Sequence, residues 1–222
     1  GSNFSRAHVA EIVAVAERCK VPIIADEIYA DMVYSGADFT SISAIESNVP
    51  VLACGGLAKR WLVPGWRVGW VLVRDKNGVL AKEVKPALVN LSQLILGACT
   101  PVQAAIPAIL KDTSETFYAT NQKNLKASAE LLCTALSKVP GLNPVMPEAA
   151  MYMMVGVDVD QMKDISDDSE FCRKLLHEQS VFCLPGAVFD YPNYFRIVIT
   201  SPVAKLEAAM ERITAFCKDH HV

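Results

Sequence analysis

The sequence predicts an α/β protein with a mainly parallel sheet, followed by a small α/β domain at its C-terminal end. Residues 21–25 form an almost unbroken apolar run, which is typical of a strand buried on both faces of a parallel sheet. An amphipathic helical pattern precedes that run, and three helical patterns follow at residues 84–138. Beyond residue 139, short strand and helix patterns alternate, which favours a second and smaller α/β unit.

The N-terminal part begins with a predicted helix at residues 7–20. Its apolar residues recur at helical spacing, and Ser5 precedes them as a candidate N-cap. Three strands are expected after the helix, at residues 21–25, 51–54 and 68–73, and the run Asp-Lys-Asn-Gly at 75–78 predicts a turn after the third. Three strands make an incomplete sheet for a large domain, so we expect its other strands outside these 222 residues.

Helices dominate the middle of the chain. They are predicted at residues 84–96, 101–110 and 115–138, and Pro140 and Gly141 end the last of them. We place a domain boundary at the end of this long helix, so that residues 1–138 belong to a large domain and residues 139–222 form a small one. The small domain is expected to contain three strands and two helices, at residues 150–157, 181–184, 195–200, 169–179 and 203–220.

Composition and charge exclude several functional classes. The chain has 52% hydrophobic and 20% charged residues, as a folded domain does, with 21 basic and 24 acidic residues and a net charge of -3. Because no basic excess is available to bind phosphate backbones, nucleic acid is not expected as a partner. The longest apolar runs, such as residues 49–58, are too short to cross a bilayer, and no signal-peptide pattern is present, so no membrane partner is expected.

The cysteines indicate a reducing compartment. All seven are scattered, mostly among apolar neighbours, and none forms a CxxC pair. The four histidines do not lie at metal-ligand spacing from them, so we expect no bound metal. Free thiols account for this pattern better than disulfides do, and we therefore predict a cytoplasmic protein.

The first candidate site lies where the strand at residues 21–25 ends, at Asp26, Glu27 and Tyr29. Ligands of open α/β sheets bind outside the carboxyl ends of the strands, so a carboxylate is well placed there. An aspartate in this position can hold a protonated heteroaromatic nitrogen through a charge-assisted hydrogen bond. The alternative, which is more frequent for such a short motif, is that the carboxylates only end a strand and begin a loop.

The second candidate site follows the strand at residues 51–54. Gly55 and Gly56 permit a tight turn or a close backbone approach to a ligand, and Lys59 beyond them could form an imine with an aldehyde. Arg67 could bind a phosphate through its guanidinium. A P-loop is excluded, because Lys59 is followed by Arg60 rather than serine or threonine. The competing interpretation is a solvated pair of cations at residues 59 and 60.

The third candidate is Arg196, which interrupts the apolar strand predicted at residues 195–200. An arginine among apolar residues is costly unless it has a partner, so it is expected to meet an anion. That anion is either a structural aspartate or glutamate or the carboxylate of a substrate. The residues themselves leave the two alternatives open.

Taken together, these segments resemble the fold-type-I pyridoxal-phosphate-dependent aminotransferases, most closely the members that act on tyrosine. The run Gly-Gly-Leu-Ala-Lys-Arg-Trp-Leu-Val-Pro-Gly-Trp-Arg-Val-Gly-Trp at residues 55–70 is similar almost throughout to their cofactor-lysine signature. Residues 25–29, 147–154, 184–186 and 195–196 continue the likeness, which spans essentially the whole chain. Residues 1–138 then correspond to the C-terminal part of the large cofactor-binding domain with its long interdomain helix.

The resemblance implies a role for each candidate residue. Lys59 would form the Schiff base with pyridoxal 5'-phosphate and move the proton at the substrate α-carbon. Asp26 would pair with the pyridine nitrogen, Tyr29 would hydrogen-bond the phenolic oxygen of the ring, and Arg67 would bind the phosphate. Arg196 would bind the substrate α-carboxylate. The implied reaction transfers the amino group of an aromatic amino acid, tyrosine first, to 2-oxoglutarate, as in tyrosine catabolism, and the implied assembly is a homodimer.

Three departures from the family pattern stand out. Gly56 occupies a position where many relatives have a phosphate-binding serine, and Ala149 one that is often glycine. Complete members also begin well upstream, and their upstream part supplies the remaining sheet, a phosphate loop, a ring-stacking aromatic and an asparagine at the phenolic oxygen. We therefore expect these 222 residues alone to bind the cofactor weakly and to turn over little or nothing.

Two alternatives stay open at this stage. A carbon–sulfur lyase or another fold-type-I enzyme would use the same lysine and phosphate ligands, so those residues do not separate it from an aminotransferase. The chain could also be a non-catalytic dimerising fragment. The substrates expected in either enzyme are small molecules, an amino acid and a 2-oxo acid in the case of the aminotransferase.

Overall fold

A computed structural model describes residues 1–34 and 36–222, which divide into two compact units. The N-terminal unit comprises Asn3–Ala119, and the C-terminal unit comprises Thr120–Val222 together with Gly1–Ser2. Both units mix helices with a sheet, as the α/β prediction requires. The division falls within the long helix, and the predicted boundary of two domains at residue 138 stays a prediction. No described helix is both long and apolar enough to span a membrane.

The N-terminal unit begins with helix α1, Arg6–Cys19. The predicted cap is confirmed, because the Ser5 side chain accepts a hydrogen bond from the backbone N–H of His8. Lys20 ends the helix in the left-handed conformation, with φ 55°. Its buried face, which includes Val13 and Ala16, packs against Val49 and thereby against the segment that leads into the sheet.

The sheet of this unit has three strands: β1, Ile23–Asp26; β2, Val51–Gly56; and β3, Gly69–Arg74. Strands β1 and β2 are parallel, as predicted, but β3 runs antiparallel to β2. The segment between β2 and β3 contains no α-helix, and a parallel neighbour needs a longer crossover, usually helical. The expected burial of β1 on both faces is not observed among the described residues, since Ile24 is 74% exposed.

Three helices follow β3 in the chain: α2, Val84–Gln93; α3, Thr100–Asp112; and α4, Glu115–Leu136. The turn predicted at residues 75–78 precedes them, and the carboxylate of Asp75 accepts hydrogen bonds from the backbone N–H groups of Val79 and Leu80. Helix α2 ends earlier than predicted, and the apolar residues Leu94, Ile95 and Leu96 beyond it are exposed.

The C-terminal unit has an antiparallel sheet in the order β4-β5-β7-β6. Its strands are β4, Leu142–Val145; β5, Tyr152–Val157; β6, Leu184–Pro185; and β7, Tyr194–Val198. Helices α5, Asp168–Gln179, and α6, Val203–His220, accompany it. The fully buried Phe171 stacks on Phe195 at 5.1 Å and meets Phe216 edge-on at 5.3 Å, so one aromatic cluster joins α5, β7 and α6.

Candidate functional site

The carboxyl ends of β1 and β2 lie side by side at one edge of the N-terminal sheet. The two strands are parallel, and Asp26 at the end of β1 is the register partner of Cys54 in β2. The loops that follow both strands therefore start from the same edge, where open α/β sheets bind ligands. The structure thus brings the two sequence-predicted clusters, around Asp26 and around Lys59, to a common place.

Asp26 and Glu27 have different environments although they are adjacent. Asp26 is exposed, and its Oδ1 accepts a hydrogen bond from the backbone N–H of Ile28 at 3.2 Å, which orients the carboxylate at the strand end. Glu27 accepts from the Ser41 hydroxyl and from the Ile42 backbone N–H, both at 2.8 Å. The interpretation of a carboxylate that only organises a loop therefore fits Glu27, whereas Asp26 remains available to a ligand.

Lys59 lies on a loop that is closed at its base. The backbone of the fully buried Leu57 donates to Val68 and accepts from Val63, so residues 57–63 form a compact excursion between β2 and β3. The Lys59 ammonium lies 5.3 Å from the centroid of the Tyr29 ring. Lys59 and Tyr29, which the sequence placed in two separate candidate sites, are therefore in contact range, each on the loop that follows a strand of the parallel pair.

Glycine is required where β2 and β3 run together before this loop. A Cβ atom at Gly56 would lie 2.9 Å from the backbone oxygen of Val68, and one at Gly55 would lie 2.5 Å from the indole nitrogen of Trp70. Both distances are shorter than ordinary van der Waals contact, so a side chain at either position would displace its neighbours. Glycine at positions 55 and 56 is thus matched to its surroundings.

Arg60 does not form a solvated pair with Lys59. Its guanidinium bonds the Asp31 carboxylate at 2.5 Å and covers the Tyr118 ring at 4.4 Å, and its side chain is only 27% exposed. Sequence reasoning missed this cluster, because the ion pair joins residues 29 positions apart. The sequence contains one indication of this cluster, the adjacent Trp61, because an aromatic residue next to an arginine in a short loop can form a cation–π contact with it.

Arg67 is exposed at the end of a short 3-10 turn, Pro64–Trp66. It has a left-handed backbone with φ 53°, and its Nη1 donates to the backbone oxygen of Pro64 at 2.7 Å. The hydrogen bond restricts the side chain without neutralising its charge. The guanidinium can therefore still bind an anion such as a phosphate group.

Arg196 lies in β7 of the C-terminal unit, between two aromatic rings. Its guanidinium carbon is 4.1 Å from the centroid of Tyr152 and 4.7 Å from that of Phe189. Among the residues that the structure describes, no carboxylate forms an ion pair with it, and its Nε is buried without a hydrogen-bond partner. Of the two anions that the sequence left open, a ligand carboxylate is therefore the better match.

Comparison with known proteins gives a consistent result. The model of the family "Aminotransferase class I and II" matches residues 1–213. The chain is 50% identical over 221 residues to a tyrosine aminotransferase of Mus musculus, covering 100% of this chain and 49% of that protein. It is 34% identical to an S-alkyl-thiohydroximate lyase of Arabidopsis thaliana, covering 99% of this chain and 48% of the lyase.

Solved structures agree with the sequence comparison. The crystal structure of a tyrosine aminotransferase from Leishmania infantum superposes with a TM-score of 0.95 at 36% identity, covering 100% of this chain and 54% of that structure. The resemblance inferred from residues 55–70 and the α/β fold class are thereby confirmed. The chain spans about half the length of the relatives that it matches.

Proposed function

Because this chain belongs to the class I and II aminotransferases, we propose that the natural full-length protein transfers the amino group of an aromatic amino acid, tyrosine first, to 2-oxoglutarate. The observation that carries the proposal is the pairing of Lys59 with Tyr29, 5.3 Å from ammonium to ring centroid, on the loops that follow two parallel strands. The 50% identity to a tyrosine aminotransferase supports tyrosine as the amino donor.

The residues of this edge fit pyridoxal 5'-phosphate. They offer an amine at Lys59, an exposed carboxylate at Asp26, a phenol at Tyr29 and a guanidinium at Arg67 that no carboxylate among the described residues neutralises. The amine can react with the aldehyde of the cofactor, and the carboxylate can pair with its ring nitrogen. The phenol can hydrogen-bond its ring hydroxyl, and the guanidinium can bind its phosphate. When bound, the cofactor supplies an electron sink for the electrons left at the substrate α-carbon.

Each side chain then has one task in the reaction. Lys59 would take the proton from the α-carbon of the amino donor and, in the second half of the reaction, would deliver a proton to the α-carbon of the new amino acid, because an amine can act as a general base and then as a general acid. Asp26 keeps a proton on the ring nitrogen through a charge-assisted hydrogen bond. Arg196 binds the substrate carboxylate, since its buried Nε has no acceptor among the described residues and its charge is not neutralised.

A second candidate function is a carbon–sulfur lyase. The relative named S-alkyl-thiohydroximate lyase, at 34% identity, supports it. The first proton removal would be the same in both enzymes, so Lys59 and Asp26 do not discriminate between them. The identity to the tyrosine aminotransferase is higher, and we therefore favour the aminotransferase.

The test begins with the full-length natural protein. Reduction with borohydride in the presence of pyridoxal phosphate, followed by peptide mapping, should label Lys59, and Lys59→Ala should lose the label. Lys82→Ala is the matched control, because Lys82 is 91% exposed and its replacement should leave the label in place. Formation of 4-hydroxyphenylpyruvate from tyrosine and 2-oxoglutarate supports the aminotransferase, whereas pyruvate release from a cysteine conjugate would favour the lyase.

Three further properties belong to the same proposal. Seven free thiols, all among the described residues, support a reducing, cytoplasmic location. The family likeness supports a homodimer, which light scattering of the full-length protein would test. The weak cofactor binding and low turnover expected of these 222 residues alone stay a prediction, and detectable transamination by the purified chain would contradict it.

A further inference from the structure

Two short turns face each other at the candidate site. One spans residues 29–32 and is closed by a hydrogen bond from the Met32 N–H to the Tyr29 oxygen at 3.0 Å. The other spans residues 59–62 and is closed by a hydrogen bond from the Leu62 N–H to the Lys59 oxygen at 3.1 Å. The first turn carries Tyr29 and Asp31, and the second carries Lys59 and Arg60.

Two side-chain contacts connect these turns. The Lys59 ammonium lies over the Tyr29 ring at 5.3 Å, and the Arg60 guanidinium bonds the Asp31 carboxylate at 2.5 Å. The first contact joins an ammonium to a ring face across 5.3 Å, whereas the second is a direct charge-assisted hydrogen bond. The distance between the turns is therefore set more firmly by Arg60 and Asp31 than by Lys59 and Tyr29.

Aromatic residues restrain Arg60 on its other sides. The guanidinium covers the ring of Tyr118 at 4.4 Å and that of Trp61 at 5.3 Å, and the two rings meet edge-on at 6.3 Å. The Asp31 side chain is 53% exposed, so the ion pair by itself contributes little, but the Arg60 side chain is only 27% exposed and its Nε is buried. A guanidinium held by a carboxylate and by ring faces has little rotational freedom left.

The backbone on both sides is held in an unfavourable conformation. Asp31 and Leu62 both have φ 58°, in the left-handed region that non-glycine residues rarely adopt. Such conformations cost free energy and persist only where surrounding contacts maintain them, most often near functional sites. The ion pair directly involves one of these residues, Asp31, and the other lies two positions after Arg60.

We propose that Arg60 and Asp31 form a strut that positions Lys59 against Tyr29. The inference rests on the proposed function, and within it Arg60 is a positioning residue that does not touch the substrate. Because Arg60 directly follows Lys59 in the chain, fixing its side chain also fixes the backbone from which the Lys59 side chain extends. A displacement of about 1 Å at a reacting group can reduce a rate by about a hundredfold, so a loosened strut should slow reactions at the Lys59 amine.

The variants separate the strut from a general loss of stability. Arg60→Met removes the positive charge and the N–H donors of the guanidinium, whereas Arg60→Lys keeps the charge but not the guanidinium. Asp31→Asn removes the negative charge of the partner and keeps its size and shape. Arg173→Met is the matched control, because Arg173 also pairs with a carboxylate, Glu170 at 3.3 Å, but on the surface of the C-terminal unit. Thermal unfolding identifies any variant that does not fold, and Asp31→Asn, the mildest change, then carries the test.

The readout is the rate at which pyridoxal phosphate and borohydride label Lys59 in the cofactor-free full-length protein, with Lys82 as internal reference. The rate is followed with rising pH until it no longer changes, and this plateau rate is compared between the variants. We expect Arg60→Met and Asp31→Asn to lower the plateau rate about tenfold. Their combination should be no worse than either alone, since both break one contact.

The outcomes separate the two proposals. Arg60→Lys should lie between the wild type and Arg60→Met, and Arg173→Met should match the wild type. If folded Arg60→Met and Asp31→Asn proteins label Lys59 at the wild-type plateau rate, the strut is wrong while the cofactor lysine stands. If wild-type Lys59 reacts no faster than Lys82, the proposed function itself is wrong, and the strut has no reaction to support.

Discussion

The guanidinium of Arg196 lies 4.1 Å from the ring centroid of Tyr152, and the ring of Phe189 is 4.7 Å from it. Ring faces hold a cation without neutralising it, because they offer a quadrupole and no acceptor lone pair. A carboxylate in the same place would have compensated the charge and competed with an anionic ligand. The arrangement therefore orients Arg196 and leaves its charge for an anionic ligand.

This arrangement predicts different effects for the arginine and for its ring neighbour. Arg196→Met should raise the KM for the amino donor by about ten- to a hundredfold, as expected for the loss of a hydrogen bond to a charged group. Phe189→Leu should raise the KM for the amino donor about threefold, since a partly exposed cation–π contact contributes about 0.5–1 kcal/mol. Phe189→Tyr is the control, because it keeps the ring. Steady-state kinetics of the full-length protein give these values, and an unchanged KM in Arg196→Met would contradict the assignment.

The adjacent carboxylates Asp26 and Glu27 should separate function from stability. Glu27→Ala removes the acceptor of two hydrogen bonds, from Ser41 and Ile42, and should destabilise the protein by about 1–3 kcal/mol. Asp26→Asn should leave stability nearly unchanged but weaken pyridoxal phosphate binding, because an amide does not favour a protonated ring nitrogen. Chemical unfolding and a cofactor titration measure the two effects. Equal stability losses in both variants would indicate that Asp26 is structural.

Gly56 should not tolerate even a methyl group. Its Cβ would lie 2.9 Å from the Val68 oxygen, a backbone atom that cannot swing away, so Gly56→Ala should lower the free energy of unfolding by about 1–3 kcal/mol. Gly65→Ala is the matched control, because a Cβ there has no neighbour within 4 Å and the backbone is not left-handed. Urea unfolding of the two variants measures the difference. A Gly56→Ala protein as stable as Gly65→Ala would show that the strands can move apart freely.

The stability of the protein should depend on pH through His220, at the end of helix α6. Its Nδ1 lies 2.6 Å from Asp164 and its Nε2 lies 2.9 Å from Glu178. Burial by itself lowers the pKa of His220, but the hydrogen bonds to Glu178 and Asp164 outweigh it and raise the pKa above 6.5. The hydrogen bonds from His220 and Lys174 lower the pKa of Asp164 to about 2.

The signs of these shifts define a pH window. The folded state binds the His220 proton more tightly, so the stabilisation is complete below the unfolded pKa near 6.5 and is lost as the pH rises through the folded pKa. The contribution of Asp164 is present above its unfolded pKa of 3.8 and is lost as the pH falls towards about 2. His220→Gln should therefore lower Tm most between about pH 3.8 and 6.5, where both contributions are present, and least at alkaline pH. A Tm difference between wild type and His220→Gln that does not vary with pH would contradict a charged interaction of His220 with Asp164 and Glu178.

Local patterns predicted the elements that depend on local spacing. Helix α6 was expected at residues 203–220 and is found at Val203–His220, because its apolar residues repeat at helical intervals. Strand β4 was missed, since Pro144 interrupts the pattern and the strand exists through its pairing with β5. Pro144 is tolerated because β4 is an edge strand of its sheet.

The candidate site shows the same limit. The positions of Asp26, Tyr29 and Lys59 followed from strand ends that the sequence marks clearly, although their roles stay predictions. The pairing of Arg60 with Asp31 and the rings around Arg196 could not be predicted, because each joins segments that are distant in the chain. From the sequence alone, Arg60 is expected to be a solvated surface cation, because its partner Asp31 lies 29 positions away in the chain.

The segment that carries Lys59, from the loop after β2 into the first residues of β3, also contains every tryptophan of the chain. The three residues are Trp61, Trp66 and Trp70, and the rings of Trp61 and Trp70 meet edge-on at 6.1 Å. Ultraviolet emission from this chain therefore originates beside the candidate site, with no distant tryptophan to dilute the signal. Quenching of that emission by an absorbing ligand would report the occupancy of this loop directly, without a label or an engineered probe.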